Sequence, residues 1–299
     1  MRTTTTFEWE PADLPDQHGR TVVVTGATSG LGLVVATALA AAGAQVVAAV
    51  RDLDKAVRVL PAGLEARLVD TSSVASVTAF ARQLAADGLV LDALVNNAGA
   101  SFATYERTEE GVERTWATNV VGPAVLADAV LPLLGGPAPR VVLVGSNFSQ
   151  RTARVPDPAG PGDAGQYRQL ATYTDSKTAA AALAVDLGER LAVQGSPIRS
   201  VIAHPGVAAT GMNGQAETLA QRLGGAVARL LARTAEDGAR STLWAATAPD
   251  VEQGVFVGPA LRRSDRRLHV VPVQGPAADR AVRRAVRDHV ERVTVGITG

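Results

Sequence analysis

Short runs of β-branched apolar residues alternate along this chain with longer stretches of helical period. Thr21–Thr25 (TVVVT) predicts a buried strand, Gly30–Ala42 a helix stopped by Gly43, and Gln45–Val50 (QVVAAV) a second strand. Ala66–Asp70 predicts a third strand, and Ser72–Ala86 opens on capping residues and continues as a helix. Leu91–Asn97 predicts a fourth strand and Glu109–Leu134 a long helix interrupted by Pro123. Arg140–Ser146 is a fifth strand, Thr172–Gln194 a helix, and Ile198–Gly206 a strand with its exit loop. Apolar strands alternating with helices predict βαβ units: an α/β protein, doubly wound, with a parallel sheet flanked by helices.

Two stretches break the pattern. Ser149–Leu170 holds Pro156, Pro158, Pro161, Gly160, Gly162 and Gly165, so a long loop is expected there. Residues 207–233 begin as a loop and turn helical, after a strand's carboxyl end, where open α/β sheets bind ligands. Residues 277–293 form an Arg-rich amphipathic helix. Asp279, Asp288 and Glu291 interleave with its arginines, which favours a solvated face over a nucleic-acid patch. The expected organisation is an N-terminal extension (1–18), one domain (19–275) with substrate loops at 147–170 and 207–233, and a C-terminal helical tail (276–299).

Charge and composition narrow the function. Lys+Arg and Asp+Glu both total 29, so no net field recruits nucleic acid or an anionic membrane. Cys is absent, which excludes disulfides, thiolate metal sites and a Cys nucleophile. His18, His204, His269 and His289 lack metal-ligand spacing, so no metal is expected. The opening residues contain no apolar core of a secretory signal, and a cytoplasmic location is the expectation. Thr21–Val50 is uncharged over 30 residues, long enough for a membrane span. Gly26, Gly30, Gly32 and Gly43 divide it, so strand, turn, helix and strand fit better and no membrane span is expected.

The candidate chemistry begins at Gly26, Thr28, Ser29, Gly30, Leu31 and Gly32. This Gly-rich turn follows the first strand and opens the first helix. Its backbone amides can hold a pyrophosphate, and missing side chains let the backbone approach it. At the end of the second strand, Val50 stands where an acidic residue would accept from a ribose 2′-hydroxyl. Arg51 suits a 2′-phosphate instead, and Lys55 can add charge. NADP is therefore the expected cofactor, with NAD the alternative through Asp52. Asp70, with Thr71 beside it, can accept from an adenine amino group or cap the following helix. Asn97, Ala98 and Gly99 can pack against a cofactor while the Asn amides of Asn96 and Asn97 tie strands together, or can form an ordinary turn.

Tyr173 and Lys177 carry the strongest signal. Positions i and i+4 share a helix face. A nearby ammonium favours phenolate, so the couple can donate a proton to a carbonyl or remove one from an alcohol. Lys occurs only at 55 and 177 among 29 basic residues, and Tyr occurs three times in the chain, so a chance pairing is uncomfortable. Ser146 ends the fifth strand and can hydrogen-bond the same oxygen; Ser149 is the weaker candidate. Asn119 lies mid-helix, where Asn is a poor former. A water-mediated link to Lys177 would satisfy it.

Taken in order, TGATSGLG, NNAG, Asn119, Ser146, YTDSK and His204-Pro205-Gly206 resemble the short-chain dehydrogenase/reductase family. DLPDQHGRTVVVTG, VRDLDKA and the long Ser146–Tyr173 interval resemble its retinol-dehydrogenase-like and protochlorophyllide-reductase-like branch. The resemblance spans roughly residues 12–250. It implies a Rossmann domain with a seven-stranded sheet, a Ser-Tyr-Lys-Asn tetrad, and Lys177 on the nicotinamide ribose. It also implies that Pro205, Gly206, Val207 and Thr210 approach the nicotinamide, Thr210 at the carboxamide. Gly145-Ser146-Asn147 departs from the commoner Ser-Ser pair, and residues 147–170 match no strict pattern, so the substrate does not carry over.

The expected function is NADP-preferring interconversion of a small-molecule carbonyl and alcohol by direct hydride transfer. One rival is a sugar-nucleotide epimerase or dehydratase, though those relatives show TGxxGxxG and a larger substrate domain. A second rival is a non-catalytic dinucleotide sensor, which has no need of Tyr173 with Lys177. The alanine-rich helices 109–134 and 172–194 offer either a homodimer or homotetramer interface or ordinary core faces.

Overall fold

Val22, Val23 and Val24 are all fully buried. Successive strand side chains point to opposite faces. Their strand must therefore be covered on both sides, which requires helices in two layers. In a computed structural model, which describes residues 4–206, 234–260 and 265–298, that is the arrangement found.

The strands are β1 (Thr5–Glu8), β2 (Thr21–Thr25), β3 (Gln45–Val50), β4 (Glu65–Leu68), β5 (Ala93–Asn96), β6 (Arg140–Val144), β7 (Arg199–Ala203), β8 (Val255–Pro259) and β9 (Arg267–Pro272). They form one sheet in the order β1-β9-β8-β7-β6-β5-β2-β3-β4. The strands from β4 across to β8 run parallel. The seven parallel strands implied by the resemblance are present, but the described sheet has nine. β9 returns antiparallel to β8, and β1 pairs antiparallel with β9. Residues 5–8, expected in a separate N-terminal extension, are thus the sheet's edge strand.

The helices are α1 (Gly30–Ala41), α2 (Leu53–Val59), α3 (Val74–Ala86), α4 (Arg114–Trp116), α5 (Gly122–Val130), α6 (Asn147–Arg151), α7 (Gln169–Val193), α8 (Ala235–Thr247) and α9 (Arg280–Thr298). Val22, Val24, Val46 and Ala48 pack toward α1 and α8, through Val35, Leu39 and Leu243. Val23, Val47 and Leu94 face the other layer, with Phe80 of α3, Leu126 of α5 and Leu187 of α7. Strand order reverses between β2 and β5, which opens a crevice at their carboxyl ends, the ligand-binding position of such sheets.

Pro123 does not interrupt the helix it was expected to interrupt. It lacks the N–H that would meet the carbonyl of residue 119. A π-helical turn, Ala117–Val121, joins α4 to α5, and Gly122 N reaches Ala117 O across it. The wider turn absorbs the proline and holds Asn119 at its centre; such turns often mark functional sites. Arg114–Leu133 is the one helical stretch among the described residues long and apolar enough to cross a membrane, and most of it is buried in the protein.

The C-terminal helix packs against the domain. Val282, Val286 and Val290 of α9 are buried in the cluster that also contains Ala179, Ala182 and Val185 of α7. Burying each valine contributes about 1.5–3 kcal/mol. The ion pairs Arg283–Glu189 (3.0 Å) and Arg287–Asp186 (2.9 Å) add less, being partly exposed. α9 also walls a small void with Ala124 and Ala127 of α5 and Ala184 and Leu187 of α7. These faces of the alanine-rich helices are therefore covered within the chain, as core faces are.

Candidate active site

The turn after β2 is folded flush against the exit of β5. Gly26 and Gly30 adopt φ of 69° and 52°, the left-handed region that favours glycine. At Gly32 a Cβ would lie 2.4 Å from both Gly26 O and Asn97 Nδ2. Thr25 Oγ1 accepts from the amides of Asn97 (3.0 Å) and Ala98 (2.9 Å), and Asn97 Nδ2 donates to Thr25 O at 2.8 Å. Asn97 thus ties β5 to β2, while Asn96 Nδ2 donates to Pro123 O at 3.0 Å. Leu31 turns its side chain into the core, and Ser29, exposed, stands at the N-cap of α1. Thr28, half-buried, completes the turn. A backbone cradle without side chains, at a helix N-terminus in the crevice, fits a dinucleotide's phosphates.

Gly32→Ala is expected to destabilise the fold, because the new methyl group meets backbone. Overpacking of this kind costs about 1–3 kcal/mol. The thermal midpoint and the NADPH dissociation constant check it. A midpoint and affinity equal to the parent's would show that the cradle tolerates a side chain.

Around the rest of the crevice, Val50 is buried, and Arg51 is exposed with no hydrogen bond or ion pair among the described residues. Asp52 caps α2, its Oδ1 accepting from Lys55 N at 2.8 Å. Asp70 Oδ1 accepts from Ser72 N (2.8 Å) and Ser72 Oγ (2.7 Å), while Ser73 caps α3. Thr71 is buried, and its carbonyl abuts Gly122, where a Cβ would come within 1.8 Å. A Cβ at Gly99 would sit 3.0 Å from Lys177 Nζ and 3.3 Å from Asn119 Oδ1, which puts the NNAG turn directly over Lys177. Pro205 precedes Gly206, which has φ of 73° and donates its amide to His204 Nδ1 at 3.1 Å. Val207 and Thr210, and the 207–233 loop with them, lie outside the described residues.

Ser146 and Tyr173 meet. Ser146 caps α6, accepting from Phe148 N at 3.3 Å, and its side chain lies beside the Tyr173 hydroxyl. Burial pushes the phenol's pKa up to about 12, and the neighbouring Ser146 hydroxyl works against that rise. Lys177 is buried, and the loss of water pulls its ammonium down to about 8. Its Nζ lies 6.0 Å from the Tyr173 ring centroid and donates to Val144 O at 3.0 Å. The expected depression of the phenol's pKa by Lys177 is therefore not what this geometry shows: burial dominates, and the ammonium is moored to β6.

Asn119 is held by direct hydrogen bonds. Its Nδ2 donates to Ala100 O and Ser176 Oγ, each at 2.9 Å, and its Oδ1 accepts from Ala100 N at 2.8 Å. The buried amide is satisfied by backbone and by Ser176. Ser176 Oγ donates onward to Tyr173 O at 2.8 Å. Sequence reasoning passed over Ser176, although its place between Tyr173 and Lys177 was the available signal. Ser149 is buried and spends its hydroxyl on Ser146 O at 2.7 Å, which leaves Ser146 as the serine facing Tyr173. Among the described residues no His, Asp and Glu cluster is arranged to hold a metal ion.

A doubly wound parallel sheet, a glycine cradle at its switch point and a Tyr–Lys helix at the same edge describe a dinucleotide-dependent oxidoreductase. The chain belongs to the short chain dehydrogenase family, whose pattern matches residues 20–220. It is accordingly an NAD(P)-dependent oxidoreductase acting on alcohol and carbonyl groups of small molecules. It is 34% identical to mouse polyprenol dehydrogenase over 259 residues, 82% of this chain and 76% of that protein. Mouse retinol dehydrogenase 14 is 30% identical over 311 residues, covering 94% of this chain and 87% of that one. These relatives agree with the retinol-dehydrogenase-like branch. An uncharacterized protein from Mycobacterium Paratuberculosis superposes with a TM-score of 0.78 at 34% identity, covering 97% of this chain and 98% of that chain. A short chain dehydrogenase from Burkholderia cenocepacia, solved in complex with NADP, gives 0.63 at 25% identity, covering 88% and 100%.

Proposed function

We propose that this chain is an NADP-preferring enzyme interconverting a carbonyl and an alcohol, with Tyr173 as the acid/base and Ser146, Lys177 and Asn119 around it. The observation that carries this reading is the placing of the Ser146 side chain beside the Tyr173 hydroxyl at the carboxyl edge of the sheet, with Lys177 buried one turn further along α7. Nicotinamide, when bound, supplies or accepts the hydride at the substrate carbon. Ser146 Oγ hydrogen-bonds the substrate oxygen. Tyr173 gives that oxygen a proton in reduction and removes it in oxidation. Lys177 holds its ammonium beneath Gly99, placed for the cofactor ribose. Asn119 fixes Ala100 and Ser176, and through Ser176 the helix turn that carries Tyr173.

The NADP preference rests on the end of β3. Val50 offers no acid to a ribose hydroxyl, Asp52 is occupied as a helix cap, and Arg51 is exposed, with no ion pair among the described residues. Losing one hydrogen bond to a charged group costs about 1.5–3 kcal/mol. Arg51→Ala is therefore expected to weaken NADPH binding by roughly one to two orders of magnitude and barely to change NADH binding. Titration of both cofactors checks this. Equal losses, or tighter NADH binding by the parent, would remove the preference.

The experiment for the whole reading is a panel of carbonyl compounds offered with NADPH and with NADH, followed by absorbance of the reduced nicotinamide. Turnover faster with NADPH supports it. Dinucleotide binding without turnover across the panel would favour a sensor.

A further inference from the structure

We infer that Asp175, paired with Arg154, is a positioning residue that sets Ser146 against the Tyr173 hydroxyl. The inference rests on the roles proposed above for those two groups. Asp175 lies between Tyr173 and Lys177, but residues two apart on a helix stand roughly 200° apart around its axis. Its carboxylate therefore leaves α7 on the side away from Tyr173 and Lys177. There it meets Arg154, whose Nε donates to both carboxylate oxygens, at 3.1 and 2.8 Å. The Asp175 side chain is only 9% exposed, while Arg154 is 66% exposed. No other ion pair reaches this carboxylate among the described residues. An ordinary surface pair contributes little. Here the acid is buried, so removing Arg154 leaves it without a counter-charge.

Arg154 is joined to the helix that carries Ser146. Thr152 is the C-cap of α6, and its Oγ1 accepts from Arg154 N at 3.1 Å. On α6's other side, Gln150 Oε1 accepts from Gln274 N at 2.6 Å. A Cβ at Gly275 would be 3.1 Å from Thr152 O, so that turn packs tightly on α6. Ser146 is the N-cap of the same short helix, and Ser149 binds its carbonyl. Any shift of α6 carries Ser146 with it.

A cavity borders this ion pair. Between residues 154–168 and α7 is a cavity of about 290 Å³, lined in part by Trp116, Arg154, Gly160, Thr172 and Asp175. Dense packing normally fixes the relation of two elements. At this cavity such packing is missing, and the Arg154–Asp175 contact in its wall ties residues 154–168 to α7. α6 also packs directly on α7 and on the Gly275 turn, and the Arg154–Asp175 pair adds the polar tie that fixes Ser146 relative to Tyr173.

The test measures kcat, KM, the NADPH dissociation constant and the thermal midpoint for Asp175→Asn, Asp175→Glu, Arg154→Ala, Arg154→Lys and the Asp175→Asn/Arg154→Ala pair. A misplacement transmitted to the reacting groups costs up to about 10²-fold, so kcat for Asp175→Asn and Arg154→Ala is expected to fall about 10- to 10²-fold. KM and NADPH affinity should stay near the parent's. Arg154→Lys and Asp175→Glu should recover part of the loss, and the double variant should be no worse than either single one. A lower midpoint with parental kcat would make the pair merely structural and overturn the inference. Should Asp175→Asn not fold, Arg154→Ala decides alone, since its side chain is largely exposed. Tyr173→Phe serves as the control. If it retains turnover, the proposed site falls; if it is inactive while Arg154→Ala keeps parental kcat, only the positioning role falls.

Discussion

Tyr173→Phe is expected to lower turnover by about 10²–10⁴-fold, the usual contribution of a positioned acid/base. Dinucleotide affinity should stay near the parent's. The ring keeps its packing on α7, and only the hydroxyl beside Ser146 is lost. The same geometry fixes a pH dependence. With the phenol held up at about 12, the neutral, proton-donating form prevails at neutral pH. Carbonyl reduction therefore has its acid available, whereas alcohol oxidation needs the phenolate and should rise as pH climbs above neutral. Rate profiles in both directions check the sign. Oxidation that falls with rising pH across that range, or a Tyr173→Phe variant within a few-fold of the parent, would remove Tyr173 from the mechanism.

Lys177→Arg is expected to be nearly as damaging as Lys177→Ala, although it keeps the charge. The chain uses Arg at all but two of its 29 basic positions, so a position needing only a cation would most readily carry Arg. The structure adds a steric reason. Lys177 is 5% exposed, and its Nζ lies 3.0 Å from where a Cβ on Gly99 would stand. A compact ammonium fits beneath that turn and reaches Val144 O; a planar guanidinium with donors in a fixed fork does not. Burial also lowers the ammonium's pKa to about 8, whereas guanidinium cannot shed its proton to relieve the same cost.

This pKa has a consequence for stability. The folded value lies below the ~10.4 of an unfolded lysine, so between the two the unfolded chain holds the extra proton. The Lys177 contribution to stability therefore rises with pH from about 8 upward and levels off past the unfolded value. For the variants, turnover and NADPH dissociation constants decide. An Arg variant with near-parental rate and affinity would show that position 177 needs only positive charge.

The parallel core of the fold was legible because it is written in local pattern. Valine runs bounded by glycine can be buried only on two faces, and Gly26 and Gly30 do adopt the left-handed backbone the turn requires. The sheet's antiparallel edge was not legible. Thr5–Glu8 is short and mostly polar, and Arg267–Pro272 mixes Arg and His with valines, so neither reads as strand until its partner is known. At the site, helical spacing was enough to place Tyr173 and Lys177 together. The backbone partners of Lys177 and Asn119 were not foreseeable, because distant elements bring them in, Val144 of β6 and Ala100 of the NNAG exit. The π turn at Ala117–Val121 escaped for a related reason: Pro123 reads as a break, and only packing decides that the helix bulges and continues. Ser149 shows the reverse. It was a candidate by sequence distance, and a single hydrogen bond to Ser146 O removes it.

The central claim is that this chain moves hydride between a nicotinamide and a carbonyl carbon while Tyr173 handles the proton. Its most direct measurement follows NADPH consumption and alcohol formation together across a carbonyl panel, with the parent and Tyr173→Phe side by side. The account predicts one alcohol formed per NADPH consumed by the parent, a slower rate with NADH, and loss of the reaction in Tyr173→Phe. NADPH binding with no consumption by the parent, or equal consumption by both proteins, would contradict it.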